Sequence, residues 1–220
     1  AAHCRSSVEF NDAYQIDDDF PYERQEPTEF IHDRITHRPG QGAPDVVALS
    51  HYVWNEQINF AVLREVKRAW PNCLTVLGGP SVGDAGPLAE KLLREHPEVD
   101  VLVHGEGEET FRELLLTRAQ ERTWWRGMFD KVTGISFGGS DEWGHWHYHA
   151  APPRPRRKNL DDFASPFLGG VFDYVLALGH AKGQRFSAVW EPDRGCPFSA
   201  VGGAVFALPD RLVRPEEWTY

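Results

Sequence analysis

The stretch "DVVALSHYVWNEQINFAVLREVKRAWPNCLTVLGG" (45–79) decides the fold of this 220-residue chain. It opens with a short apolar run at 45–50, continues with apolar residues at helical spacing over 56–70, and returns to an apolar run at 73–79. Short uninterrupted apolar runs are typical of strands buried on both faces. Parallel strands need a long crossover, usually a helix, between them. The stretch therefore predicts a parallel strand–helix–strand unit.

The same alternation continues beyond residue 79. The pattern predicts a helix over 85–96, a third strand over 99–105 and a third helix over 108–122. Strands and helices that alternate with short connections are typical of a doubly wound parallel sheet. No internal repeat interrupts this order.

The segment after these units changes character. Two alternating runs, "VTGISF" (132–137) and "HWHYH" (145–149), predict a β-hairpin, and the Pro-rich stretch 151–167 predicts a connector. A further strand and turn are predicted over 185–196. We therefore predict an α/β fold: a Rossmann-like doubly wound parallel sheet with a small β-hairpin and linker appendage.

The composition excludes several classes of function. The net charge is −10, from 23 basic and 33 acidic residues, which opposes general binding to nucleic acid or to anionic membranes. No apolar run approaches the ~20 residues of a membrane span. The three cysteines, Cys4, Cys73 and Cys196, are widely separated and odd in number, which favours a reducing cytoplasm over a disulfide framework.

Three informative loops follow the three predicted strands. They are "SHYVWN" (50–55), "GGPSVGD" (78–84) and "GEGEET" (105–110). In an open parallel sheet, ligands bind beyond the carboxyl ends of the strands, where glycines let the backbone approach a bulky group. The alternative for each loop alone is a tight turn or an acidic helix start. Three such loops in consecutive units favour a ligand site.

Five segments, taken in order, carry a family resemblance. They are "DVVALSHYVWN", "LGGPSV", "VDVLVHGEGEETFRELL", "NLDDFASPF" and "WEPDRGCPFS", and they run from about 45 to 199. With them the chain resembles cobalamin-dependent radical S-adenosylmethionine proteins. The resemblance implies a Rossmann-like domain that holds cobalamin, followed by a barrel with a [4Fe–4S] cluster and S-adenosylmethionine.

Carried onto the loops, the resemblance implies a set of corrinoid-binding residues. Ser50 offers hydrogen bonds, Tyr52 and Trp54 offer flat apolar walls, and the glycine turns offer close backbone approach. The predicted cobalamin-binding residues are Ser50, Tyr52, Trp54, Gly78, Gly79, Pro80, Gly105, Glu106 and Gly107. No catalytic residue is predicted.

The chain departs from the family at the cluster. The resemblance implies cysteines at the spacing C-x3-C-x2-C, but Cys196 is followed by Ala200 and Gly203 at the other two positions. Only Cys196 is left as a vestigial cluster position. We therefore expect that this chain alone does not cleave S-adenosylmethionine, and its status as an enzyme stays open.

The domain organisation follows from these departures. We expect a cobalamin-binding domain over 1–130 whose opening strand–helix unit is not evident before residue 45, a hairpin and linker over 131–184, and a vestigial barrel start over 185–220. The residues after Cys196 are too few for a barrel of ~200 residues. The sequence thus reads as a truncated or degraded copy or a fragment, with a separate radical barrel chain as a candidate partner.

Two alternatives from other classes stay open. The first is a corrinoid-free scaffold domain left after loss of the barrel. The second is a metal-binding protein that uses His145, His147 and His149, which alternate along one predicted strand. A cobalt ligand at His37 is disfavoured, because "ITHRPG" (35–40) has Ile35 where the D-x-H-x-x-G pattern has Asp.

Overall fold

The computed structural model describes residues 42–120, 129, 131–157, 159–165, 167–170 and 172–181. The described residues divide into two compact units, with the boundary between Arg156 and Arg157. The first unit contains a sheet with its helices, and the second contains short helical segments. No helix among the described residues is long and apolar enough to cross a membrane.

The first unit is built on a five-stranded sheet. Its strands are β1 (Val46–Ser50), β2 (Leu74–Gly78), β3 (Val101–Val103), β4 (Ile135–Ser140) and β5 (Trp146–Ala150). They lie side by side in sequence order; the first three are parallel, and β4 and β5 are antiparallel to their predecessors. The predicted α/β, Rossmann-like fold is confirmed. The predicted hairpin is present as β4 and β5, and it extends the sheet itself.

Helices cover both faces of this sheet. They are α1 (Glu56–Ala69), α2 (Pro87–Glu95) and α3 (Gly107–Gln120). Residues of α1 and α2, such as Leu63 and Leu93, pack with Leu77 and Leu102 in one core. Leu114 of α3 packs in a second core with the alternate residues of the same strands. The shared core shows that α1 and α2 lie on one face of the sheet.

The hairpin is fixed against α2 by a close aromatic contact. The ring of Trp146 lies so near Gly138 that a Cβ atom there would come within 2.6 Å of it. The Arg94 guanidinium lies over the same ring, 4.5 Å from the centroid. The Tyr148 hydroxyl accepts a hydrogen bond from the backbone N–H of Gly86 at 3.0 Å. These contacts hold β5 against the α2 region, while β4 joins the sheet by pairing antiparallel with β3.

A polar network closes the amino ends of β2 and β3. Asp100 Oδ2 accepts hydrogen bonds from Lys67 Nζ at 2.5 Å and from the backbone N–H of Thr75 at 2.9 Å. Lys67 Nζ also donates to the carbonyl of Cys73 at 2.8 Å. The end of α1 is thereby fixed at this edge, and the opposite, carboxyl edge carries the loops of interest.

The second unit contains a 3-10 helix, Leu160–Asp162, and helix α4, Asp173–Ala181. The sequence analysis did not predict α4. Its segment "DYVLALGHA" is apolar almost throughout and contains a glycine, so it lacks the amphipathic spacing that signals a surface helix.

Candidate functional site

The carboxyl ends of the three parallel strands meet at one edge of the sheet. Ser50 pairs with Gly78 across β1 and β2, and Gly78 pairs with Val103 across β2 and β3. The three predicted loops therefore start side by side. We refer to residues 50–55 as loop 1, 78–86 as loop 2 and 104–107 as loop 3.

Loop 1 is held by two asparagine side chains that sequence reasoning missed. The carbonyl of Ser50 accepts hydrogen bonds from Asn55 Nδ2 and Asn59 Nδ2, both at 2.9 Å. Asn55 Oδ1 accepts the backbone N–H of Tyr52 at 2.8 Å. These bonds satisfy backbone groups at the end of β1 and fix the turn.

The turn of loop 1 presents two stacked aromatic rings. The rings of Tyr52 and Trp54 lie 4.5 Å apart between centroids and 15° from parallel. Trp54 is 76% exposed and Val53 is 77% exposed. Exposed large apolar groups side by side indicate a surface that contacts another molecule. Loop 1 thus offers a flat apolar wall at the carboxyl edge.

His51 directly precedes Tyr52 in loop 1 and is buried, with 1% exposure. Its backbone N–H donates to the carbonyl of Gly78 at 2.6 Å, and its Nδ1 lies 3.4 Å from Asn59 Nδ2. Burial lowers the pKa of His51; nearby Glu56 opposes this shift and His96 adds to it. The residue is a neutral core histidine, not an exposed metal ligand.

Loop 2 is pressed against loop 1 at Gly79. Gly79 has φ +116°, and a Cβ atom there would lie 3.0 Å from the carbonyl oxygen of His51. Ser81 N–H donates to the same oxygen at 3.2 Å. Only glycine fits this backbone conformation at such close approach. The loop then reaches Gly83, where φ is +66° and the space around the α-carbon is open.

Loop 3 also contains an open glycine turn. Gly105 has φ +65° with no atom within 4 Å of a Cβ position. The next residue, Glu106, has a buried carboxylate oxygen, Oε2, without a hydrogen-bond partner among the described residues. Buried polar atoms are normally satisfied by protein, water or a ligand, so this oxygen is available to accept a hydrogen bond.

His104, at the end of β3, joins two of these loops to the sheet. Its Nδ1 lies 2.9 Å from the carbonyl oxygen of Gly83, and its Nε2 lies 2.8 Å from Ser136 Oγ. Sequence reasoning missed this residue, because a histidine within an apolar strand gives no signal of its partners.

Comparison with known proteins agrees with this geometry. No family profile matches the chain. It is 41% identical over 179 residues to a cobalamin-dependent radical SAM methyltransferase of Streptomyces tokunonensis, covering 81% of this chain and 24% of that protein. It is 39% identical over 208 residues to the 2-(S-pantetheinyl)-carbapenam-3-carboxylate methyltransferase of Streptantibioticus cattleyicolor, covering 90% of this chain and 28% of that protein. The chain belongs to the cobalamin-dependent radical S-adenosylmethionine family.

A more distant relative extends the comparison. An uncharacterized methyltransferase of Pyrococcus horikoshii is 30% identical over 159 residues, covering 72% of this chain and 31% of that protein. The chain spans between about a quarter and a third of the length of these relatives. The resemblance stated from the sequence is confirmed at the level of the family.

The structure brings the residues that the family resemblance implies to one edge. Gly78 ends β2, and Pro80 begins the 3-10 helix Pro80–Val82 within loop 2. Gly107 begins α3, where backbone N–H groups lack helical partners. All nine predicted residues, Ser50, Tyr52, Trp54, Gly78, Gly79, Pro80, Gly105, Glu106 and Gly107, lie in loops 1 to 3. Their contact with cobalamin stays a prediction.

The family's cluster positions lie outside the described residues. This holds for Cys196, Ala200 and Gly203, and also for Cys4 and His37. Cys73 is described: it is 2% exposed, as expected for a small core residue, and burial raises the pKa of its thiol to about 11.

The three histidines near β5 do not form the metal site weighed above. His147 Nε2 and His145 Nδ1 both contact Asp141 Oδ2, at 2.9 and 3.3 Å, whereas the His149 ring stacks on Phe137. The hydrogen bond with His147 contributes most to the lowered pKa of Asp141. Within the described part of the chain, no group of three histidine, cysteine, aspartate or glutamate side chains is placed to hold a metal ion. The arrangement of these three histidines gives no support to the metal-binding alternative.

Proposed function

We propose that the first unit is a cobalamin-binding domain of the radical S-adenosylmethionine type. The observation that carries the proposal is the stacking of the exposed Trp54 on the half-buried Tyr52, at the edge that also holds the open turns at Gly83 and Gly105. A corrin ring is broad, flat and largely apolar. It fits a site with a flat aromatic wall and backbone free of side chains.

The polar part of the site also fits a corrinoid. The rim of cobalamin carries amide groups, and their N–H groups can donate to the partnerless Oε2 of Glu106. The first N–H groups of α3, which begins at Gly107, can donate to amide carbonyls. When bound, cobalamin supplies a cobalt centre that can carry a methyl group.

The described histidines favour binding without a protein ligand to cobalt. Both buried histidines of this edge have engaged rings: His51 contacts Asn59 and lies 4.0 Å from Glu56, and His104 contacts Gly83 and Ser136 with its two nitrogens. A ring nitrogen that already has a partner must lose it before it can bind cobalt. We therefore expect a corrinoid spectrum without histidine ligation.

The chemistry of the whole family protein is a separate proposal. Relatives are named as methyltransferases, and we propose that this unit serves the same class of reaction with a radical barrel as its partner. The side chains of Ala200 and Gly203 cannot bind iron, so we propose that Cys196 alone does not hold a [4Fe–4S] cluster in this chain. A reducing cytoplasm fits the cysteine content.

The test is a titration of the purified chain with hydroxocobalamin, followed by desalting and a visible absorption spectrum. We expect about one corrinoid per chain, with a base-off spectrum. Circular dichroism on the same sample establishes that the chain is folded. A folded chain that retains no corrinoid overturns the proposal and leaves the corrinoid-free scaffold as the better interpretation.

A further inference from the structure

His104 is 9% exposed and has a partner on each ring nitrogen. Nδ1 lies 2.9 Å from the carbonyl oxygen of Gly83, in loop 2, and Nε2 lies 2.8 Å from Ser136 Oγ, in β4. The backbone N–H of His104 donates to the carbonyl of Gly134 at 2.9 Å. One residue therefore connects loop 2, the start of loop 3 and the antiparallel part of the sheet.

The chemistry of the partners fixes the role of each nitrogen. A carbonyl oxygen has no proton, so Nδ1 must carry the hydrogen that it donates to Gly83. In the neutral ring, Nε2 then accepts the hydroxyl proton of Ser136. The bond to Gly83 depends on a donor at Nδ1, and the bond to Ser136 depends on a polar atom at Nε2.

This tether acts on the open part of loop 2. Gly83 lies beyond the contact between Gly79 and His51 that fixes the beginning of the loop. Its turn has open space around it, as does the turn of Gly105, which directly follows His104. A loop that is already held in place loses less conformational entropy when it binds a ligand.

We propose that His104 is a positioning residue that holds loop 2 in its corrinoid-binding conformation through the Gly83 carbonyl. The inference rests on the proposed function, because it names a residue that shapes that site without touching the corrinoid. The hydrogen bond from Nδ1 to the Gly83 carbonyl holds the loop, and the hydrogen bond between Nε2 and Ser136 orients the ring.

Two substitutions separate the contacts of His104. His104→Asn places an amide nitrogen near the position of Nδ1 and retains the donor to Gly83. His104→Gln places its amide one bond further, near Nε2, and loses that donor. The measurement is the Kd for hydroxocobalamin at a temperature where circular dichroism shows each variant folded. We expect His104→Gln to weaken binding about tenfold, and His104→Asn about threefold or less.

Hydrogen exchange of the corrinoid-free chain gives a second readout. We expect faster exchange in His104→Gln over loop 2, residues 78–86, with little change over loop 1. In His104→Asn we expect both loops to resemble the unmodified chain. A merely structural role would instead raise exchange across the sheet and affect both variants alike, and this result overturns the inference.

The failures of the two proposals are distinguishable. If the unmodified chain binds no corrinoid, the proposed function fails and the role of His104 in binding fails with it. If the unmodified chain binds and His104→Gln leaves both the Kd and the exchange of loop 2 unchanged, only the inference about His104 is overturned.

Discussion

Asn59 Nδ2 donates a hydrogen bond to the carbonyl oxygen of Ser50, nine residues earlier in the chain, at 2.9 Å. The same nitrogen lies 3.2 Å from Asn55 Oδ1 and 3.4 Å from His51 Nδ1. Asn59 is 6% exposed, so its amide forms these hydrogen bonds in a buried environment. Asn59 therefore links α1 to the turn that follows β1, together with Asn55.

Replacement of Asn59 by alanine should destabilise the fold and loosen loop 1. We expect a loss of about 1–3 kcal/mol in the free energy of unfolding, because the buried ring of His51 and the carbonyl of Ser50 each lose a donor. Urea denaturation measures this loss. The control is Gln57→Ala on the exposed part of the same helix, expected within about 0.5 kcal/mol of the unmodified chain. Equal losses of stability in the two variants would contradict the stabilising role of the Asn59 hydrogen bonds.

Gly79→Ala should be costly for a different reason. The new Cβ would lie 3.0 Å from the oxygen and 3.1 Å from the nitrogen of His51, on a backbone with φ +116°. Backbone strain of this kind costs about 1–3 kcal/mol. Gly86→Ala is the matched control in the same loop, since its backbone is extended and nothing lies within 4 Å. Equal falls in the melting temperature of the two variants would contradict the claim that the close approach of Gly79 to His51 requires glycine.

Much of the sheet could be predicted because its signals are local. The apolar runs at β1, β2 and β3 and the helical spacing of α1 and α2 lie within single elements, so the sequence pattern reveals them. That the hairpin joins the sheet could not be predicted. It depends on the pairing of β4 with β3 and on the contact of Trp146 with Arg94, and the members of each pair lie far apart in the sequence.

In the candidate site too, features with local sequence signals could be predicted, and features that depend on distant contacts could not. The glycines and aromatic residues of loops 1 to 3 could be predicted as ligand-binding residues from their residue type and from their place after strands. The roles of Asn59, His51 and His104 are not visible in the sequence, because each depends on partners 8 to 32 residues away. The reverse holds for His149, whose spacing suggested a metal ligand but whose ring stacks on Phe137.

Cys73 should be unreactive in the folded chain. Burial raises the pKa of its thiol from 9.0 to about 11, so the nucleophilic thiolate is scarce at pH 8. A Cys4→Ser/Cys196→Ser variant leaves Cys73 as the single thiol, and a disulfide reagent such as Ellman's reagent reports its rate of modification. We expect slow modification in buffer and rapid modification in guanidinium. Rapid modification of the folded variant would contradict the burial of Cys73.

The raised pKa of Cys73 also predicts how stability depends on pH. The folded state favours the neutral thiol, so its contribution is fully present below pH 9 and is lost as the pH rises towards 11. Cys73→Ala should therefore reduce the fall in stability between pH 9 and pH 11, whatever its effect at neutral pH. If the stability of the unmodified chain and of Cys73→Ala falls equally between pH 9 and pH 11, a group other than Cys73 causes the fall.

Trp54→Ala should weaken corrinoid binding without unfolding the chain. The indole is 76% exposed and stacks on Tyr52, so its loss removes contact area for a flat ligand and little core packing. We expect the Kd for hydroxocobalamin to rise about tenfold, since an aromatic contact contributes roughly 0.5–1.5 kcal/mol beyond its buried area. The melting temperature should stay close to that of the unmodified chain.

The matched control for Trp54 is Trp143→Ala. Trp143 is similarly exposed, at 74%, but it lies in the turn between β4 and β5, at the edge of the sheet opposite to the loops. Because β4 runs antiparallel to β3, its end at Ser140 is far from the carboxyl ends of the parallel strands. We expect Trp143→Ala to leave the Kd unchanged. If both tryptophan variants bind equally well, the stacked pair is not the corrinoid wall, and the remaining candidates are the glycine turns and Glu106.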